Sequence, residues 1–146
     1  EGNPKAFPFT KPKVDGVNFS FSGLKTQILY FVQKNVALNP NFIEENKADI
    51  CASIQYTIIN ILMDKLKLAV AETGINQIAI GGGVSANSGI RQTLKEAEKK
   101  YGWKTFVPKF EYTTDNAAMI AMAGKFLFES GVRADQSVSA QARLAW

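Results

Sequence analysis

Ile78-Ala79-Ile80 runs straight into Gly81-Gly82-Gly83-Val84-Ser85-Ala86-Asn87, and Ile90, Leu94, Ala97 and Tyr101 follow at helical spacing. The apolar run predicts a strand from Gln77 to Ile80. The periodic run predicts a helix from about Asn87 to Tyr101 that buries these four residues and is closed by Gly102. Glycine has no Cβ, so a ligand can come close to the main chain in this turn. The helix that follows offers unsatisfied N–H groups and the positive end of its dipole, which suits phosphate or a nucleotide. A plain strand–helix connection is the competing reading, but it needs one glycine rather than three. Gly81, Gly82 and Gly83 are therefore candidate nucleotide-binding residues.

Further along, Trp103 to Val107 is an aromatic and β-branched strand. Two strands joined by a helix of this length favour parallel pairing. Two strands cannot shield themselves, so the sheet must gain strands from the early segment or from sequence outside this chain. Gly81-x-Gly83-x-x-Ala86 also fits a loose dinucleotide fingerprint. That fingerprint needs an acid about 20 positions on, at the end of the next strand. Pro108-Lys109 stands there instead, which argues against it.

Upstream, residues 1–18 carry three prolines and two glycines and read as loop or extended chain, with Phe7 and Phe9 laid against a core. A helix to about Leu38 places Leu24, Ile28, Phe31, Val32 and Val36 on one face, with Ser22 as its expected N-cap. A longer helix runs from about Ile43 to Thr73, with a possible break near Asn46 or Lys47. Its stripe is Ile50, Ile54, Ile58, Ile61, Leu62, Leu66, Ala69 and Val70, and Ile59 and Met63 widen the arc so that more than one side is covered. A last helix is expected from about Asp115 to Ser130, and residues 132–146 read as a polar tail. The domain reading is a single unit: lead-in 1–18, core 19–131, tail 132–146.

The 146 residues are 46% apolar, enough for a sizeable core. No apolar run reaches the roughly 20 residues of a membrane span. The chain opens on Glu1 rather than Met and reads as part of something longer. Its one cysteine, Cys51, excludes an internal disulfide, fits a reducing compartment, and is expected to be buried in its helix. The chain has no histidine, so it cannot build a Ser-His-Asp, Cys-His or His-rich zinc site by itself. The net charge of +4 tolerates a nucleic-acid partner without requiring one.

Three phrases stand in order: Phe19-Ser20-Phe21-Ser22-Gly23-Leu24-Lys25-Thr26; Gly81 to Asn87 with Arg91; and Thr114-Asp115-Asn116-Ala117-Ala118-Met119-Ile120-Ala121. With Asp49-Ile50-Cys51-Ala52 and Gln55 in the long helix, the chain resembles the C-terminal part of the TsaD/Gcp family, the tRNA N6-threonylcarbamoyladenosine transferases, formerly called O-sialoglycoprotein endopeptidases. The resemblance implies an α/β fold: one lobe of the actin-like ATPase architecture, mostly helical with a small, partly parallel sheet. It implies a cytoplasmic enzyme that moves threonylcarbamoyl from threonylcarbamoyl-adenylate to N6 of adenosine 37 in tRNAs reading A-starting codons. It also implies an iron or zinc ion in the cleft and small partner proteins, one of them a paralogue.

By the same resemblance Asp115 is a metal ligand and Asn87 contacts the nucleotide, with Gly81, Gly82 and Gly83 lining its path. A carboxylate suits such an ion, and an amide can donate and accept together. Taken as residues alone, both are also good helix caps, and that alternative stays open. No role is assigned to Ser20-Phe21-Ser22-Gly23. The family's other metal ligands, two histidines, are missing here, as are its remaining nucleotide contacts. The chain alone is expected to bind metal weakly and to be inactive. A different actin-like carbamoyltransferase or kinase is an alternative, as is a non-catalytic assembly paralogue.

Overall fold

Helix α1 (Leu24–Leu38) and helix α2 (Phe42–Thr73) come first, then strand β1 (Gln77–Ala79), helix α3 (Ser88–Tyr101), strand β2 (Lys104–Phe106) and helix α4 (Ala117–Glu129). Short 3-10 turns, Gly83–Ala86 and Phe110–Tyr112, precede α3 and α4. This is a computed structural model, and it describes residues 2–139. The described residues form two compact units: those of Glu1–Ile80 with Asn87–Val107, and those of Gly81–Ala86 with Pro108–Trp146.

The first unit is organised by α2, which is one unbroken helix of 32 residues, without the break considered at Asn46. It ends where Gly74 takes a left-handed conformation, φ 71°, and returns its N–H to Val70 O. One side of α2 packs Ile61 with Phe9 and Leu24, backed by Phe7, Ile28, Phe31, Ile54 and Ile58. Another side packs Met63 with Ile78, Ile90, Leu94, Ala97 and Trp103. The wide apolar arc around Ile59 and Met63 thus has two covers. The proline-rich lead-in is strapped to α2 as well. Asn3 N–H donates to Asp49 Oδ1 at 2.7 Å, and Phe7 N–H donates to the buried Ser53 hydroxyl at 3.1 Å.

Strands β1 and β2 pair in parallel, with Gln77 opposite Lys104, Ile78 opposite Thr105 and Ala79 opposite Phe106. They are the only strands among the described residues, and the early segment adds none. Helix α3 packs Leu94 into the core with no exposed surface, and Glu98 ties it to β2. The Glu98 carboxylate accepts from Thr105 Oγ1 at 2.6 Å and from Thr105 N–H at 3.0 Å. Those two bonds stabilise the ionised carboxylate and hold its pKa below the ordinary carboxylate range, the hydroxyl contributing most.

Several local expectations are corrected. Ser22 does not cap α1: Gly23 does, at φ 85° and without a side-chain bond, while Ser22 N–H turns back to Ser20 Oγ. Cys51 is exposed rather than buried. Tyr101 is 40% exposed rather than buried; its ring lies against Trp103, with Lys67 and Lys100 over it. Helix α3 keeps its expected bounds, with Asn87 as N-cap and Gly102 as C-cap. Helix α4 begins at Ala117, two residues later than Asp115. The part of the tail from residue 140 onward lies outside the described residues. No helix among the described residues is long and apolar enough to cross a membrane.

Candidate functional site

The glycine turn belongs to the second unit. Gly82 alone of the three requires glycine conformationally, at φ 76°. Ser85 then closes the turn on Gly82, its N–H donating to Gly82 O at 3.0 Å and its hydroxyl to the same oxygen at 2.7 Å. Among the described residues, nothing lies within 4 Å of where a Cβ would stand on Gly81, Gly82 or Gly83. Neither packing nor backbone conformation explains glycine at 81 and 83. Open main chain of this kind is what a closely approaching ligand uses.

Asn87 lies in the first unit and is the N-cap of α3. Its Oδ1 accepts from Ile90 N–H at 3.1 Å, while its Nδ2 donates to Gln55 Oε1 at 3.3 Å. Its capping role is therefore real. One lone pair on Oδ1 and one hydrogen on Nδ2 are left for anything else. The pairing with Gln55 spans 32 positions, which no local spacing in the sequence reveals.

Asp115 lies in the second unit, with the glycine turn. The capping alternative fails for it. Asn116 caps α4, accepting from Met119 N–H at 3.1 Å and donating to Thr114 O at 2.8 Å. Asp115 is exposed, and its side chain makes no hydrogen bond or ion pair among the described residues. Thr113, just before it, is buried, with its hydroxyl on Phe110 O at 2.8 Å, and so anchors the turn that presents the carboxylate.

Comparison with known proteins decides what this set belongs to. The profile of the TsaD family, tRNA N6-adenosine threonylcarbamoyltransferase, matches residues 1–122. The chain belongs to this family. A protein of that name from Christiangramia forsetii is 69% identical over 143 residues, which is 98% of this chain and 42% of the relative. The one from Riemerella anatipestifer is 56% identical over 142 residues, 97% of this chain and 42% of the relative. A more distant one, from Thermosipho africanus, is 41% identical over 143 residues, 95% of this chain and 41% of the relative. The chain thus spans about two-fifths of the length of these TsaD relatives.

A metal ion does not fit what this TsaD-family chain offers alone. No three His, Cys, Asp or Glu side chains gather as ligands among the described residues, and the sequence has no histidine. Asp115 is one oxygen donor, whereas a zinc or non-haem iron site takes three or more protein ligands.

Proposed function

We propose that this chain is the C-terminal lobe, of actin-like ATPase architecture, of a cytoplasmic tRNA N6-adenosine threonylcarbamoyltransferase. The whole enzyme moves threonylcarbamoyl from threonylcarbamoyl-adenylate to N6 of adenosine 37 in tRNAs that read codons beginning with A. Membership of the TsaD family carries this reading, since the profile covers most of the chain and the relatives bear that name. The exposed Asp115 carboxylate supports it, because among the described residues that side chain neither caps a helix nor pairs with another group.

In this reading Gly81, Gly82 and Gly83 expose main chain to the nucleotide, and Asn87 uses its spare donor and acceptor on it. Asp115 supplies one oxygen to an iron or zinc ion whose other ligands lie outside these 146 residues. The chain by itself is inactive, and tRNA and the small partner proteins, including a paralogue, meet the whole enzyme. Asp115 also speaks against a non-catalytic paralogue, which would have no use for a bare carboxylate in this turn. Another actin-like carbamoyltransferase or kinase would have to share all three phrases.

The test is Asp115→Ala in the full-length protein, assayed for tRNA modification with threonylcarbamoyl-adenylate. Losing a metal donor should lower transfer by about 100-fold or more. In the metal-free protein, stability should change by no more than about 0.5 kcal/mol, since an exposed side chain is removed. Normal transfer in that variant removes Asp115 from the site. Stoichiometric iron or zinc on the purified 146-residue chain would show that it holds the ion alone.

A further inference from the structure

Helix α2 touches the start of α3 through a polar contact, the 3.3 Å bond from Asn87 Nδ2 to Gln55 Oε1. We infer that Gln55 is a positioning residue: it holds the Asn87 amide in the orientation that leaves one donor and one acceptor free for the nucleotide. The inference rests on the reading of Asn87 given above and names the residue on which that reading depends.

An asparagine amide has two faces of opposite chemistry, and its terminal torsion is soft. Ile90 N–H needs an acceptor, so Oδ1 must face it. That bond alone fixes one atom and leaves the amide plane free to rock about it. Gln55, presenting Oε1 to Nδ2, supplies the second fixed point. This bond is the only one Gln55 makes among the described residues, and the side chain is otherwise exposed. Burial therefore does not explain where it lies. Ordering a glutamine costs rotamer entropy, so a held conformation needs a cause.

Gly89 gives that conformation its room. A Cβ there would stand 2.7 Å from Ile59 Cδ1, 2.9 Å from Gln55 Nε2 and 3.3 Å from Asn87 Oδ1. Its φ is not in the left-handed range, so glycine is needed for space and not for backbone freedom. Gln55 and Ile59 are one helical turn apart on α2 and straddle the bare Cα of Gly89. The sequence thus places a glutamine, an isoleucine and a glycine so that α2 can touch the cap of α3.

The experiment uses the full-length protein labelled with 15N-asparagine and two substitutions of similar volume. Gln55→Met keeps the packing over Gly89 and removes the acceptor, whereas Gln55→Glu keeps an acceptor. The two proton resonances of the Asn87 side-chain amide should shift and converge in Gln55→Met and stay apart in Gln55→Glu. A resonance pair unmoved by Gln55→Met overturns the inference.

Calorimetry with threonylcarbamoyl-adenylate supplies the second readout. Asn87→Ser, which still caps the helix, should weaken binding. Gln55→Met should weaken it about 3-fold to 10-fold, the range of one neutral hydrogen bond. Combined with Asn87→Ser, it should add nothing further. A full Gln55→Met effect in the Asn87→Ser background overturns the inference alone. Unchanged binding by Asn87→Ser overturns the nucleotide reading of Asn87, and with it the functional half of this inference.

Discussion

Helices α3 and α4 open with the same chemistry and diverge within two turns. Each follows a short 3-10 turn, and each is capped by an asparagine whose Oδ1 accepts from the N–H three residues on at 3.1 Å. Helix α3 then buries Ile90, Leu94 and Ala97. Helix α4 carries Met119, Ile120, Met122, Phe126, Leu127 and Phe128, and buries none of them. Apolar content would rank the two the other way. A cap sets where a helix begins, but only a facing surface decides what it buries. The difference reaches the site as well. Ahead of Asn87 stands Ala86, with no chemistry to offer; ahead of Asn116 stands Asp115, whose carboxylate the cap leaves unused.

The largest test of this contrast compares core truncations in the 146-residue chain by denaturant unfolding. Leu94→Ala, at a fully buried position of α3, should cost about 2–5 kcal/mol. Phe126→Ala, exposed on α4, should cost about 0.5 kcal/mol or less. Equal losses would show that α4 is covered as deeply as α3, and the contrast would collapse.

A smaller effect sharpens it. Each helix contains one glycine, and the two should respond with opposite signs. Gly89→Ala pushes a methyl against Ile59 and Gln55 and should destabilise by about 1–3 kcal/mol. Gly124→Ala meets nothing within 4 Å and should stabilise by about 0.4–1 kcal/mol, through the lower entropy of the unfolded chain. Matching signs in thermal melts would mean that α3 is not pressed against α2 as described.

The smallest effect concerns the helix ends. Glu98 ties α3 to β2 through Thr105, whereas Glu129 of α4 pairs with the exposed Lys125 of its own helix. The folded state lowers the Glu98 pKa. Its contribution is therefore complete above the ordinary carboxylate pKa and is lost as pH falls through the depressed folded value. Melting temperature followed from neutral pH into acid should lose a small increment in that window, and Glu98→Gln should remove that increment. An unchanged acid profile in Glu98→Gln would show that the Thr105 bonds carry no net stability.

Much of the fold was legible from local pattern. Gly74 and Gly102 mark the ends of α2 and α3, and the strands on either side of α3 pair in parallel as expected. The glycine turn was legible too, although the 3-10 turn Gly83–Ala86 within it was not. What failed concerns position relative to neighbours. Cys51 was expected inside and lies outside, because one residue's place on a long helix depends on which faces other elements reach. Ser22 and Asp115 both looked like caps, and in each case the next residue took the role. Ser, Asp and Asn have similar capping preferences, so adjacent candidates cannot be ranked without backbone angles.

The sequence by itself determined the helices and strands, and the three phrases by which the family is recognised. Each of these depends on residues within a turn or two of one another, or on identity along the chain. Only the tertiary structure decided which side chains were left free. It gave the cap of α4 to Asn116 and so released Asp115, and it brought Gln55 across 32 positions to Asn87 over the bare Cα of Gly89. Those outcomes depend on groups far apart in sequence competing for the same space and the same hydrogen bonds, and no local pattern records who wins.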